Sequence, residues 1–87
     1  MAKLDSLENI IAWQKSRKLN KTIYSVTNTN TTFTKDFGLR VQIRRSSISI
    51  SSNIAEGFER ETTKEFIRFL FIAKASAGKC NVDLKFI

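Results

Sequence analysis

Residues able to do chemistry are few in this chain, and their spacing argues against catalysis. Histidine is absent, which removes the usual near-neutral base and the commonest metal ligand. Cys80 is the only cysteine, so it cannot close an internal disulfide. It lies on an apolar stripe with no histidine to activate it, which suits a small buried hydrophobe. Ser46, Ser47, Ser49, Ser51 and Ser52 have no nucleophile elbow around them and read as packing residues. Glu56, Glu59, Glu61 and Glu65 crowd one polar loop, where exposed carboxylates do no acid-base work. No glycine-rich phosphate loop, dinucleotide fingerprint or E-x-x-H pair occurs. The expectation is a non-enzymatic chain with no cofactor, metal or small-molecule substrate.

The constellation that remains is cationic. Arg40 and Arg44 are four apart, on one face of any helix, and Arg45 lies beside them. Guanidinium forks grip phosphates with two hydrogen bonds each. Lys15, Lys18 and Lys21 form the wet side of an earlier amphipathic segment. From Asn9 to Arg45 eight Lys or Arg face Asp36 alone, a balance of +7, whereas the rest of the chain holds seven basic and seven acidic residues. Such a field favours an acidic partner: nucleic acid, or an anionic protein or lipid surface. One reading is contact with RNA or DNA phosphates, giving affinity with little sequence specificity. The other is that the arginines pair with Glu56, Glu59 or Glu65 of the same or a neighbouring subunit and hold helices in register. Trp13 and Tyr24 suit a helix core better than base stacking, since no strand presents them. Asn53, three residues before Glu56, reads as a buried amide that caps or cross-links helices.

Three helices must position these groups, at about 6–27, 36–57 and 62–86, within one domain over residues 1–87. In the first, apolar residues recur at threes and fours from Leu7 to Val26, with Asp5-Ser6 as the cap. Thr and Asn in TNTNTTFTK (27–35) suit a connecting turn. The second carries a helical stripe from Leu39 to Phe58, although Ile48-Ser49-Ile50-Ser51 alternates like a strand, and Gly57 is expected to end it. Thr62 and Glu65 have the form of a capping box for the third. Its stripe runs Phe66, Leu70, Ala73, Ala77, Cys80, Leu84 and Ile87, broadened by Phe69 and Phe71. Three apolar faces enclose a narrow core, so Phe66, Phe69 and Leu70 read as interface residues for a second subunit. Neither an export signal nor an apolar span of membrane length is present, which sets the expectation of a cytoplasmic protein with no membrane partner.

Three segments carry a resemblance to a known family. Trp13-Gln14-Lys15-Ser16-Arg17 lies in the first helix. The run Phe37-Gly38-Leu39-Arg40-Val41-Gln42-Ile43-Arg44-Arg45 leads into Ser49-Ile50-Ser51-Ser52-Asn53-Ile54-Ala55-Glu56-Gly57. Lys64-Glu65-Phe66-Ile67-Arg68-Phe69-Leu70 follows. Together they resemble the bacterial four-helix-bundle proteins associated with intervening sequences in 23S ribosomal RNA genes. The resemblance implies an all-α, up-and-down helical bundle and ring-like homo-oligomers, pentamers in particular. It attaches no catalytic residue. A related helical accessory protein of diversity-generating retroelements looks like a pentameric binder of nucleic acid and reverse transcriptase, which suggests such a partner here. There are three departures. Ser51 stands where the family usually has Pro, and Lys79 and Asn81 replace two glutamates. The family's fourth helix is also missing or truncated after Ile87, leaving three long antiparallel helices. A groove lined by Ile43, Ile50, Phe69 and Ala73 is then expected to be exposed and to drive self-association.

Overall fold

The computed structural model describes residues 6–85. Among them are four α-helices, one 3-10 turn and no strand. The 3-10 turn spans Leu7–Asn9, α1 Ile11–Thr29, α2 Thr31–Lys35, α3 Phe37–Phe58 and α4 Thr63–Leu84. This is an all-α helical bundle, as the sequence predicts. The Asp5 cap and the Ile87 end of the last stripe lie outside the described residues.

The first helix starts later than its periodicity suggests. Ile10 is extended (φ −80°, ψ 114°) and separates the 3-10 turn from α1, while Gln14 Nε2 donates to the carbonyl of Glu8 across the break. The polar stretch after α1 is not a plain turn. Asn30 accepts from Thr32 N at 2.9 Å and caps the short α2, whose Phe33 is completely buried. Asp36 then caps α3 by accepting from Leu39 N at 3.0 Å. Thr62 caps α4 by accepting from Glu65 N at 3.1 Å, as the capping-box spacing predicts. The strand-like alternation at Ile48 to Ser51 is overridden, because helical neighbours on both sides bury Ser46, Ser47 and Ile50.

Helix α3 is the middle of the molecule. It packs along both α1 and α4, whereas the backbones of α1 and α4 hardly approach each other. The result is a slab of 46 × 19 × 15 Å. Ile23, Phe33, Ile43, Ile50, Ile54, Ala73 and Cys80 form its core. Each fully buried isoleucine contributes about 2 kcal/mol. The expected open groove is therefore not found: Ile43, Ile50 and Ala73 are all buried and Phe69 is half-buried, because α3 turns one side to each neighbour.

The inward stripe of α4 is also rotated from the predicted one. Phe66, Phe69, Ala73, Ser76, Cys80 and Asp83 face inward, while Leu70, Phe71 and Ala77 are exposed. Polar Ser76 and Asp83 take inward places because partners on α3 satisfy them. Ser49 Oγ lies 2.8 Å from Ser76 Oγ. Asp83 accepts from Gln42 Nε2 (2.6 Å), Lys79 Nζ (3.0 Å) and Ser46 Oγ (3.1 Å).

Gly57 does not end α3 but lies buried within it, before the cap at Glu59. Its missing side chain makes room for α4: a Cβ there would sit 2.7 Å from Phe69 Cβ and 3.0 Å from Phe66 Cδ1. At Gly78 a Cβ would meet nothing within 4 Å. Opposite effects follow for one chemical change. Gly57→Ala should lose about 2 kcal/mol through overpacking, and Gly78→Ala should gain roughly 0.5–1 kcal/mol from helix propensity. Urea unfolding of both variants checks this, and a gain at both positions would show that α3 and α4 are not this close.

Candidate nucleic-acid interface

The cations predicted to act together are only partly brought together. Arg44 is half-buried at the α1/α3 seam. Its Nε donates to Thr27 Oγ1 and its Nη2 to Asn28 Oδ1, both at 2.8 Å, and its guanidinium lies 4.4 Å from the centroid of the Tyr24 ring. Thr27 is buried and donates in turn to the carbonyl of Ile23. The arginine thus ties α3 to α1 through neutral groups and an aromatic face, and among the described residues of the chain it does not pair with Glu56, Glu59 or Glu65. Glu56 instead pairs with Arg60, one turn on. Within the chain Glu56 cannot reach Arg44, because it lies more than three turns further along α3.

Arg40 lies one turn before Arg44, half-buried, with its guanidinium 5.2 Å from the Phe37 ring centroid. Arg45 is exposed and makes no hydrogen bond or ion pair among the described residues. At about 100° per residue, Arg17 falls two turns before Tyr24 and Lys21 two turns before Asn28, so both continue the edge on which Arg44 rests. Lys18 is turned well away from that edge, and Lys15, nine residues before Tyr24, points to the opposite side of α1. Arg17, whose guanidinium is 5.1 Å from the Trp13 ring centroid, was absent from the sequence-derived set, although its spacing to Tyr24 could have supplied it.

Two grooves flank the outer ridge of α3. One, of about 490 Å³, has a lining that includes Tyr24, Val41, Arg44, Arg45, Ile48 and Asn53. The other lies towards α4 and includes Gln42, Arg45, Ile72 and Lys79. Arg45 borders both, and among the described residues no carboxylate lines either. Tyr24, read from sequence as a core residue, is 38% exposed. Asn53 is half-buried and donates to the carbonyl (2.8 Å) and Oγ (3.0 Å) of Ser49, so it reaches α4 only through the Ser49–Ser76 contact.

The remaining candidates have structural surroundings. Trp13, Phe66 and Phe69 are half-buried, and Phe69 has Arg60 and Arg68 4.9 and 5.2 Å from its ring centroid. Burial pushes the Cys80 thiol up, the Asp83 charge adds to this, and a hydrogen bond with Ser46 only partly offsets it, which leaves the sulfur unreactive. Burial alone would also raise Asp83, but its bonds from Gln42, Lys79 and Ser46, with the Lys79 charge, hold it below the usual aspartate value. No group of three or more metal-binding side chains occurs among the described residues, and no helix there is long and apolar enough to cross a membrane.

No curated protein and no solved structure matches the chain. The family model described as 23S rRNA-intervening sequence protein matches residues 8–87. That span takes in α1 to α4, the basic edge and the α3 ridge. With the segments around Trp13, Asn53 and Phe66 all inside it, the chain belongs to the 23S rRNA-intervening sequence protein family.

Proposed function

We propose that the protein is a non-enzymatic, self-associating helical scaffold that holds RNA or DNA phosphates along the edge formed by Arg17, Lys21 and Arg45. The observation that carries this reading is Arg45, an exposed guanidinium between two grooves with no carboxylate in either lining among the described residues. Unpaired cations on a surface of this kind release counterions when they meet a phosphate backbone. Self-association is supported by Ile67, Leu70 and Phe71, exposed by 47%, 36% and 64% on the side of α4 turned away from α3. A second copy covering them removes apolar surface that a monomer would leave in water. A purely structural or protein-interaction role is favoured for Arg44 by its bonds to Thr27 and Asn28, and Arg44 is therefore left intact in the test.

Anisotropy with labelled RNA and DNA across salt concentrations should give a log affinity that falls linearly with log salt. Replacing Lys21 and Arg45 by Ala should weaken binding uniformly across sequences and reduce the salt slope by about one for each phosphate that is no longer neutralised. Binding indifferent to salt, or unchanged in this variant, would remove the basic edge from the function. Light scattering on the same samples reports the mass of the assembly.

A further inference from the structure

The groove beside Arg44 holds more than charge. We infer that it takes an unpaired nucleobase, so that the protein prefers single-stranded to duplex nucleic acid, an inference that rests on the phosphate-binding role proposed above.

Phosphate contact alone would need only exposed cations. The α1/α3 groove also contains an aromatic ring, a guanidinium already laid against it, and the aliphatic side chains of Val41 and Ile48. Ile48 is 42% exposed, an unfavourable place for an isoleucine unless something apolar covers it. Arg44 cannot swing away to a phosphate without losing two 2.8 Å hydrogen bonds, so its plane is fixed in advance of binding. A flat apolar ligand laid against this stack adds a further layer with little ordering cost. Nucleobases are such ligands, and they stack on aromatic rings and on arginine planes alike. In a duplex the base faces are covered by their neighbours, so only unpaired bases can enter. Arg45 at the groove's edge and Lys21 on the adjoining edge of α1 are then placed for the flanking phosphates. The acceptor Oδ1 of Asn53, whose Nδ2 is committed to Ser49, meets a base or ribose donor.

The test compares oligothymidylate and oligouridylate with an abasic strand of equal phosphate count and with a duplex. The intact protein should bind the base-bearing single strands about tenfold more tightly than the abasic strand, with the same salt slope. Tyr24→Ala should erase that preference and leave the slope unchanged, while Tyr24→Phe should keep it. Salt-dependent binding that is equal for abasic and base-bearing strands, or stronger for duplex, would overturn the inference and leave the phosphate role standing. No binding to any strand at low salt would overturn both. If Tyr24→Ala instead lowers the assembly mass in light scattering without altering base preference, the groove is a contact between copies and the inference falls.

Discussion

Phe33→Ala is expected to destabilise the protein by about 4 kcal/mol, a large fraction of the roughly 4 to 13 kcal/mol available to a chain of this size. Phe33 has no exposed surface and belongs to the core, although its helix is only five residues long. α2 packs on both α1 and α3, so the ring fills the corner where the chain reverses. Removing it leaves a cavity that short, capped segments on either side cannot collapse into. Urea unfolding should show a much lower midpoint for Phe33→Ala and an intermediate one for Phe33→Leu, which keeps most of the volume. A change within about 0.5 kcal/mol, as at an ordinary surface position, would mean that α2 does not close the core.

Asp83→Ala should cost about 3 kcal/mol, because it removes the acceptor for Gln42, Ser46 and Lys79 together. The share carried by Lys79 is the smaller one, since half of that side chain is in water and screening weakens it. The sign of the pH dependence follows from the lowered pKa of Asp83 in the folded state. Unfolded, the carboxyl titrates near 3.9. Its stabilising contribution is therefore fully present above that value and is lost as pH falls through the lower folded value. Stability of the native protein minus that of Asp83→Asn should be constant from about pH 5 upward and shrink in stronger acid. A difference that grows towards acid would mean that burial, not hydrogen bonding, dominates at this carboxylate.

Local signals were legible and distant ones were not. The start of α4 followed from the cap at Thr62, and apolar spacing located α3 although Gly57 does not end it, all from signals within a few residues of the position concerned. The resemblance carried by Trp13, Asn53 and Phe66 led to the family. The buried state of Asp83 depends on Gln42 and Ser46, about forty positions earlier in the chain, and nothing near Asp83 distinguishes it from a surface aspartate. Phe33 had one signal, a lone aromatic in a Thr/Asn run, outweighed by the turn-forming residues around it. The break at Ile10 had none, since an isoleucine continues the helical pattern while its backbone does not. At the candidate site the spacing of Arg40 and Arg44 was visible. Their partners were not, because an arginine over Tyr24 and between Thr27 and Asn28 needs the turn of α2 to bring α1 and α3 together.

The α1/α3 seam also determines how the two rods can slide. Ser47 Oγ donates to Asn20 Oδ1 (2.6 Å), Asn20 Nδ2 donates to Ser51 Oγ (3.0 Å), and Arg44 reaches Thr27 and Asn28. Oily surfaces of similar residues can shift by one turn, about 5.4 Å, and still find grease opposite grease. Matched donors and acceptors cannot, since every one of these four bonds breaks at once and leaves polar atoms stranded between helices. The small hydroxyl and amide side chains thus act as teeth on a rack, fixing the register of α1 against α3 where hydrophobic packing alone would leave it free.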